Sequence, residues 1–296
     1  MATTHHQKLR FIFITCAVGE AFFRPAKQGM ADAARMMGVE SDFSGTEDVD
    51  LKAQAGMVTQ AVADGYDGIA LNIIDPEAFN GVVAEAIAKG VPVVAFNVDG
   101  TYGKGPHLSS INQNLYEAGR TVGKQAASAL PDKVKVLLTV HSEGISALED
   151  RLRGIQDVLK TERNATWKVV VTGIHEDQAA EVIAKALKVE PAMRAVLCTG
   201  QADTQGAGLA VERYFQNAGI YVAGFDLTPE ILRMVKAGTI AFTIDQQPYV
   251  QGFYPVIQLA LYCRYGIKPS SMDAGATVIT KDDVDRVMKL SAEGYR

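Results

Sequence analysis

Gly90-Val-Pro-Val-Val-Ala-Phe-Asn97 is matched, 129 positions further on, by Gly219-Ile-Tyr-Val-Ala-Gly-Phe-Asp226. Each copy is a glycine, an apolar run rich in β-formers and a polar residue that closes the run. That is the pattern of a strand buried on both faces. At the same offset Asn72, which closes the apolar run 68–72, falls on Gln201, just after the run 195–199. The first strand and helix repeat more loosely, Gly19 and Gly29 matching Gly144 and Gly154 at an offset of 125. Further apolar runs stand at 11–17, 134–140, 167–172 and 241–244. Between the runs lie Ala-rich stretches such as 26–37, where Ala26, Met30, Ala33 and Met37 share one helical face. Near-continuous apolar strands separated by amphipathic helices predict parallel sheets covered on both faces. The fold class is α/β, with two similar doubly wound parallel-sheet lobes.

The chain's 296 residues suit that reading, since each half is large enough for its own core. Lys and Arg number 29 against 34 Asp and Glu, a net charge of −5, and no basic run appears. That excludes the electrostatic footprint of a nucleic-acid binder. Cys16, Cys198 and Cys263 are isolated, with no paired spacing and no histidine at ligand distance in sequence. They read as small core residues rather than a disulfide framework or a metal site. No apolar run approaches the ~20 residues that span a bilayer. Lys8-Leu9-Arg10 before the first apolar run imitates a secretion signal, but no small-residue cleavage pattern follows. The run is read as the first strand, and an exported form would have lost its leader.

In open parallel sheets ligands gather beyond the carboxyl ends of the strands. The residues standing there are Glu20, Phe22, Phe23 and Arg24, then Asn72, Asn97, Ser142 with Glu143, His175, Gln201 with Asp203, Asp226, and Asp245 with Gln246. Amides and carboxylates suit hydroxyl groups, and Phe22-Phe23 offers rings to a C–H face. A sugar or polyol presents both surfaces. Phe22 and Phe23 could equally be core, although adjacent residues at a helix start point about 100° apart, so both rarely share its apolar stripe. Asp226 in Gly-Phe-Asp-Leu-Thr-Pro-Glu could cap the next helix, or leave that task to Thr228. Arg151 could be one of a solvated run of charges.

Enzymatic motifs are missing. Gly100, Gly103 and Gly105 have the wrong spacing for a dinucleotide loop, and no phosphate-loop, zinc-protease or nucleophile-elbow motif occurs. His141, Ser142 and Glu143 are consecutive and cannot converge as base, nucleophile and orienter. No catalytic residue, cofactor or metal is expected.

The ordered set resembles the periplasmic sugar-binding proteins of the ribose/galactose class, the substrate-capturing subunits of ABC importers, over residues 10–284. Its carriers are Ala21-Phe22-Phe23 with Gly29-Met30, and Asp64-Gly-Tyr-Asp-Gly-Ile-Ala with Asp75-Pro76. Further carriers are Gly90 to Asn97, Glu117-Ala-Gly-Arg120, Arg151 with Gly154, Gly224-Phe-Asp226, and Thr243-Ile-Asp-Gln246-Gln-Pro248. The resemblance implies a periplasmic binding protein type I fold, with lobes of residues 8–112 plus 247–274 and 113–246 plus 275–296 joined by a three-crossing hinge. The crossings would fall near 111–114, 245–248 and 273–275, with the ligand cleft between the lobes. It further implies a sugar sandwiched by Phe22 and Phe23 and contacted by Arg151, Asp226 and Gln246. Glu20 and Gln201 stand where asparagines are usual, and Asn97-Val98 replaces an Asp-Arg pair. His175 or Glu176 lies near the usual third aromatic. These departures suggest a neutral ligand other than ribose or galactose, including an open-chain polyol. The implied partners are that ligand and a membrane permease, for a monomer in the periplasm. Two rivals remain. A sensing core of a lactose-repressor-like regulator would need a helix-turn-helix where only about ten residues precede the first strand, and an enzyme would need a nucleophile–base pair.

Overall fold

A computed structural model describes residues 8–19, 21–144 and 146–296. The chain divides into two compact units. The first runs to Asn112 and takes back Gln247–Ala274 and Tyr295, while the second holds Gln113–Gln246, Gly275–Gly294 and Arg296.

The first unit is built on β1 (Arg10–Thr15), β2 (Glu40–Gly45), β3 (Gly68–Ile73), β4 (Val93–Asp99), β5 (Ser110–Asn112) and β11 (Met272–Asp273), in the sheet order β11-β5-β4-β3-β1-β2. The second uses β6 (Lys135–Val140), β7 (Thr166–Val171), β8 (Met193–Cys198), β9 (Tyr221–Phe225), β10 (Phe242–Asp245) and β12 (Thr277–Ile279), in the order β12-β10-β9-β8-β6-β7. One order with two sets of numbers is the structural form of the sequence repeat. Every pairing is parallel except that of β12 with β10. The two repeated stretches became β4 and β9, and β4 is buried throughout.

β2, β5, β11 and β12 are additions to the sequence reading. β2 is an edge strand of sequence Glu-Ser-Asp-Phe-Ser-Gly, and the others have two or three residues each. Edge strands need one apolar face at most, so composition does not announce them.

Helix ends follow local chemistry. The helix α1 (Arg24–Met37) buries Ala26, Met30 and Ala33 and stops at Gly38, whose φ of 61° is left-handed. Asp75 caps α3 (Pro76–Ala88), and Asn114 caps α4 (Leu115–Ala129). Packed against α4 is α5 (Ser146–Arg163), and against α1 is α9 (Pro248–Tyr265). Glycines let both pairs close. A Cβ at Gly119 on α4 would collide with the Arg151 carbonyl on α5, and one at Gly252 on α9 would collide with the Ala26 carbonyl on α1. Gly154 and Gly29 return the arrangement, meeting the Tyr116 and Tyr249 carbonyls. Gly29 and Gly154 are the pair matched in sequence, so their correspondence reflects shared helix packing.

Cys16, Cys198 and Cys263 are free thiols. The first two are core residues as expected, but Cys263 is exposed on α9, a correction to the reading of all three as core. No helix among the described residues is long and apolar enough to cross a membrane, and no group of three or more His, Cys, Asp or Glu is placed to hold a metal.

Candidate functional site

Asn97 and Asp226, the last letters of the repeat, have φ of 64° and 75°. Asp226 lies just past β9, whereas Asn97 lies inside β4, where the pairing with β3 shifts register between Ala95 and Asp99. Asn and Asp are the side-chain-bearing residues that tolerate a left-handed backbone best. Both polar side chains are held buried near the carboxyl ends of their strands. From this common start the two units diverge.

In the first unit Asn97 joins a neutral lattice. Its Nδ2 donates to Gln251 Oε1 on α9 at 3.0 Å, while Asn72 Nδ2 donates to Asn97 Oδ1 at 3.3 Å and to Thr15 Oγ1 at 3.0 Å. Asn72 Oδ1 is buried without a hydrogen-bond partner. Before α1, Phe22 and Phe23 lie in a 3-10 turn (Ala21–Phe23), ring edge to face at 5.1 Å. Phe23 is only 5% exposed and packs with Phe13, Phe43 and Phe96, so its ring is part of the core. Phe22 is half-buried against the same cluster and is the ring with a face to offer. Arg24 is exposed at the first position of α1, and Glu20 lies outside the described residues.

In the second unit the cluster is charged. Arg151, 4% exposed on α5, donates from Nε and Nη2 to Gln113 Oε1 at 3.1 and 2.7 Å and from Nη1 to the Thr199 carbonyl at 2.9 Å. Its guanidinium lies 4.1 Å from the centroid of the Phe225 ring. All its hydrogen bonds go to neutral acceptors. Asp226 and Asp203 hold it through their fields, against a burial that pulls its pKa down. The Asp226 carboxylate accepts from Gln246 Nε2 at 2.6 Å. Burial raises its pKa, opposed by Arg151 and the Gln246 bond and reinforced by Asp245. Helix capping is done by Thr228, whose Oγ1 accepts from Ile231 N, so the alternative role for Asp226 falls away. Asp203 accepts from Thr139 Oγ1, Thr199 N and Gly200 N, yet burial pushes its pKa to about 6. Gln201, half-buried, opens α7 (Gln201–Tyr214), and His175 stands exposed before α6 (Glu176–Val189). Neither is hydrogen-bonded into the cluster. Gln113 and Gln251 are the residues that sequence reasoning missed.

His141 Nδ1 is 3.0 Å from Ser142 Oγ, and burial together with Arg151 lowers the histidine's pKa. Among the described residues no carboxylate is hydrogen-bonded to that imidazole, so the pair lacks the orienting group of a triad. What the strand ends offer instead is a dense supply of amide, guanidinium and carboxylate groups.

A profile of the periplasmic binding protein domain matches residues 11–266. The chain belongs to the periplasmic binding protein family. The xylose/arabinose-binding protein XylF of Sulfolobus acidocaldarius is 29% identical over 301 residues, 97% of this chain and 74% of that one. A carbohydrate transporter from Acidothermus cellulolyticus, solved with myo-inositol, has a TM-score of 0.86 at 28% identity, covering 98% of this chain and all of that one. GanP, a glucose-galactose binding protein from Geobacillus stearothermophilus, has a TM-score of 0.84 at 25% identity, covering 94% of this chain and 99% of its own. Periplasmic binding proteins capture substrates, and the strand-end groups of this one are chemically suited to hydroxyls.

Proposed function

We propose that this protein captures a neutral monosaccharide or polyol, without transforming it, for the permease of an ABC importer. It works as a monomer in the periplasm, and nucleic acid plays no part. The observation that carries the reading is the second unit's cluster, in which a buried guanidinium and a buried carboxylate share one strand-end region. Such a cluster donates to some hydroxyl oxygens and accepts from other hydroxyl groups. A net ionic ligand would leave one of the two charges badly matched. The ligands named for the relatives, xylose or arabinose, myo-inositol, and glucose or galactose, are neutral polyhydroxylated rings. The regulator reading finds no such support.

Capture would use groups from both units: Phe22 stacking on a C–H face, Asn97 from the first unit, and Arg151, Asp226 and Gln246 from the second. Glu20, Arg24, His175 and Gln201 are further candidates. Phe23 contributes by supporting Phe22. A ligand that gains contacts as the units close shifts the clamp toward its closed state, a transition known for such proteins. A micromolar dissociation constant, about −8 kcal/mol, is within reach of a few charge-assisted bonds and one buried ring face.

A thermal-shift panel of pentoses, hexoses, alditols and inositols tests the reading. Stabilisation by at least one neutral member is expected. Stabilisation by ribose alone would overturn the inference from the departures at Glu20, Asn97 and Gln201, and turnover of a bound sugar seen by mass spectrometry would overturn non-catalytic capture.

A further inference from the structure

Ahead of the last two residues, Tyr295 and Arg296, the chain passes between the units at 112/113, 246/247 and 274/275. Glutamines stand at two of these passages, and their side chains reach the third. Gln247 Nε2 donates to the Ala274 carbonyl at 2.6 Å, within the first unit. Gln113 Nε2 donates to the Gly275 carbonyl at 2.9 Å, within the second. Successive carbonyls at one passage are thus held by glutamines from the other two. The second unit's two passage glutamines, Gln113 and Gln246, also turn to the strand-end cluster. Gln113 Oε1 accepts from Arg151, and Gln246 Nε2 donates to Asp226.

We propose that Gln113 is a positioning residue, which orients Arg151 for the ligand and ties that orientation to the passage at 274/275. The inference rests on the sugar or polyol reading for its ligand, and on geometry alone for the positioning. Gln113 is 1% exposed, and its amide orientation is fixed from both ends. Rotated by half a turn, Nε2 would face the guanidinium donors and Oε1 the Gly275 carbonyl. Its single oxygen takes two N–H groups of Arg151, and Thr199 takes a third. Guanidinium carries five, so two are left for ligand hydroxyls in a plane set by Gln113 and by the Phe225 ring. A hydroxyl that draws the guanidinium toward itself also pulls on Gln113, and through it on the Gly275 carbonyl.

Two substitutions separate the halves of this role. Gln113→Glu keeps the acceptor for Arg151 and loses the donor to Gly275, whereas Gln113→Leu loses both. Proton exchange at the Arg151 Nε–H is read first by nitrogen-15 NMR of the unliganded protein, the signal being assigned by its loss in Arg151→Lys. Slow exchange is expected in wild type, slower exchange in Gln113→Glu, and exchange at least about ten-fold faster in Gln113→Leu. Exchange unchanged in either Gln113 variant would overturn the positioning role, and Gln113→Glu decides the matter should Gln113→Leu not fold. Calorimetric titrations with D-xylose, L-arabinose and myo-inositol follow. Gln113→Leu is expected to weaken binding about ten-fold in the wild-type background and not at all in Arg151→Met. Equal losses in both backgrounds would show that Gln113 acts elsewhere and overturn the proposal. Failure of all three compounds to bind would count against the sugar reading, with the exchange result still deciding Gln113.

Discussion

Ala26 in the first unit and Arg151 in the second occupy corresponding places, since the carbonyl of each backs onto a glycine of a neighbouring helix, Gly252 and Gly119. Asn97 and Asp226 correspond too, each left-handed at the last position of the repeated stretch. One unit has put a methyl group and an amide at these two places, the other a guanidinium and a carboxylate. The first links Thr15, Asn72, Asn97 and Gln251 in a neutral lattice that leaves only Asn72 Oδ1, among the described residues of that lattice, without a partner. The second holds opposite charges that are not paired directly, and so leaves hydrogen-bonding capacity for something else. The frame is duplicated and the chemistry is not. A fold repeats wherever backbone must approach backbone, while strand-end side chains can diverge at little cost to it.

Attacking the shared frame should do the most damage, and equally in both units. Gly119→Ala and Gly252→Ala each force a methyl into a facing helix backbone that cannot withdraw, so each should cost about 3 kcal/mol or more in denaturant unfolding. A mild effect in one unit alone would mean the frames are not equivalent.

Next in size is the charged place itself. Arg151→Met should weaken sugar binding about 100-fold, the equivalent of one or two charge-assisted bonds. Titration calorimetry on folded variant protein checks it.

Exchanging Asn97 and Asp226 sharpens the comparison further. Asp226→Asn keeps a residue that accepts positive φ but removes the charge, and should weaken binding about ten-fold with little loss of stability. Asn97→Asp places a carboxylate against Gln251 Oε1 and should cost about 1 to 3 kcal/mol of stability. Thermal and denaturant unfolding with titration of both variants would show whether the asymmetry lies where it is placed here.

How much of this was legible in the sequence follows the same division. β3, β4, β8 and β9 could be read because burial on both faces demands continuous apolar residues. β2, β5, β11 and β12 could not, because an edge or a two-residue pairing demands almost nothing of composition. Asp226 and Gln246 stood out by their position after strands, and Arg151 by family resemblance after its local pattern had left it undecided; the fold buries all three. Gln113 and Gln251 carried no local signal: one follows a three-residue strand, the other lies within a helix, and only tertiary packing turns them toward Arg151 and Asn97. Phe22 and Phe23 looked alike in sequence. The aromatic cluster of Phe13, Phe43 and Phe96 separates them, taking Phe23 into the core.

The smallest effect concerns protons. In the first unit burial would raise the Asp99 carboxyl, but His107 and the Thr101 hydroxyl and amide outweigh it and bring its pKa down to about 2. In the second, burial wins at Asp203 and brings it to about 6. The signs are opposite. Asp99 adds stability above its unfolded value near 4, lost as pH falls toward 2, whereas Asp203 costs stability as pH rises from about 4 to 6. Carboxyl carbon-13 titration should find two separated midpoints, and matching midpoints would remove this contrast between the units.

The central claim is that the second unit's charged strand ends anchor a neutral polyhydroxylated ligand. Titration of D-xylose and myo-inositol into wild type and Arg151→Met, side by side, tests it most directly. The account predicts saturable binding of at least one compound by the wild type and a loss of about two orders of magnitude in the variant. Equal affinity in the two proteins, or no binding of either compound to wild type, would contradict it.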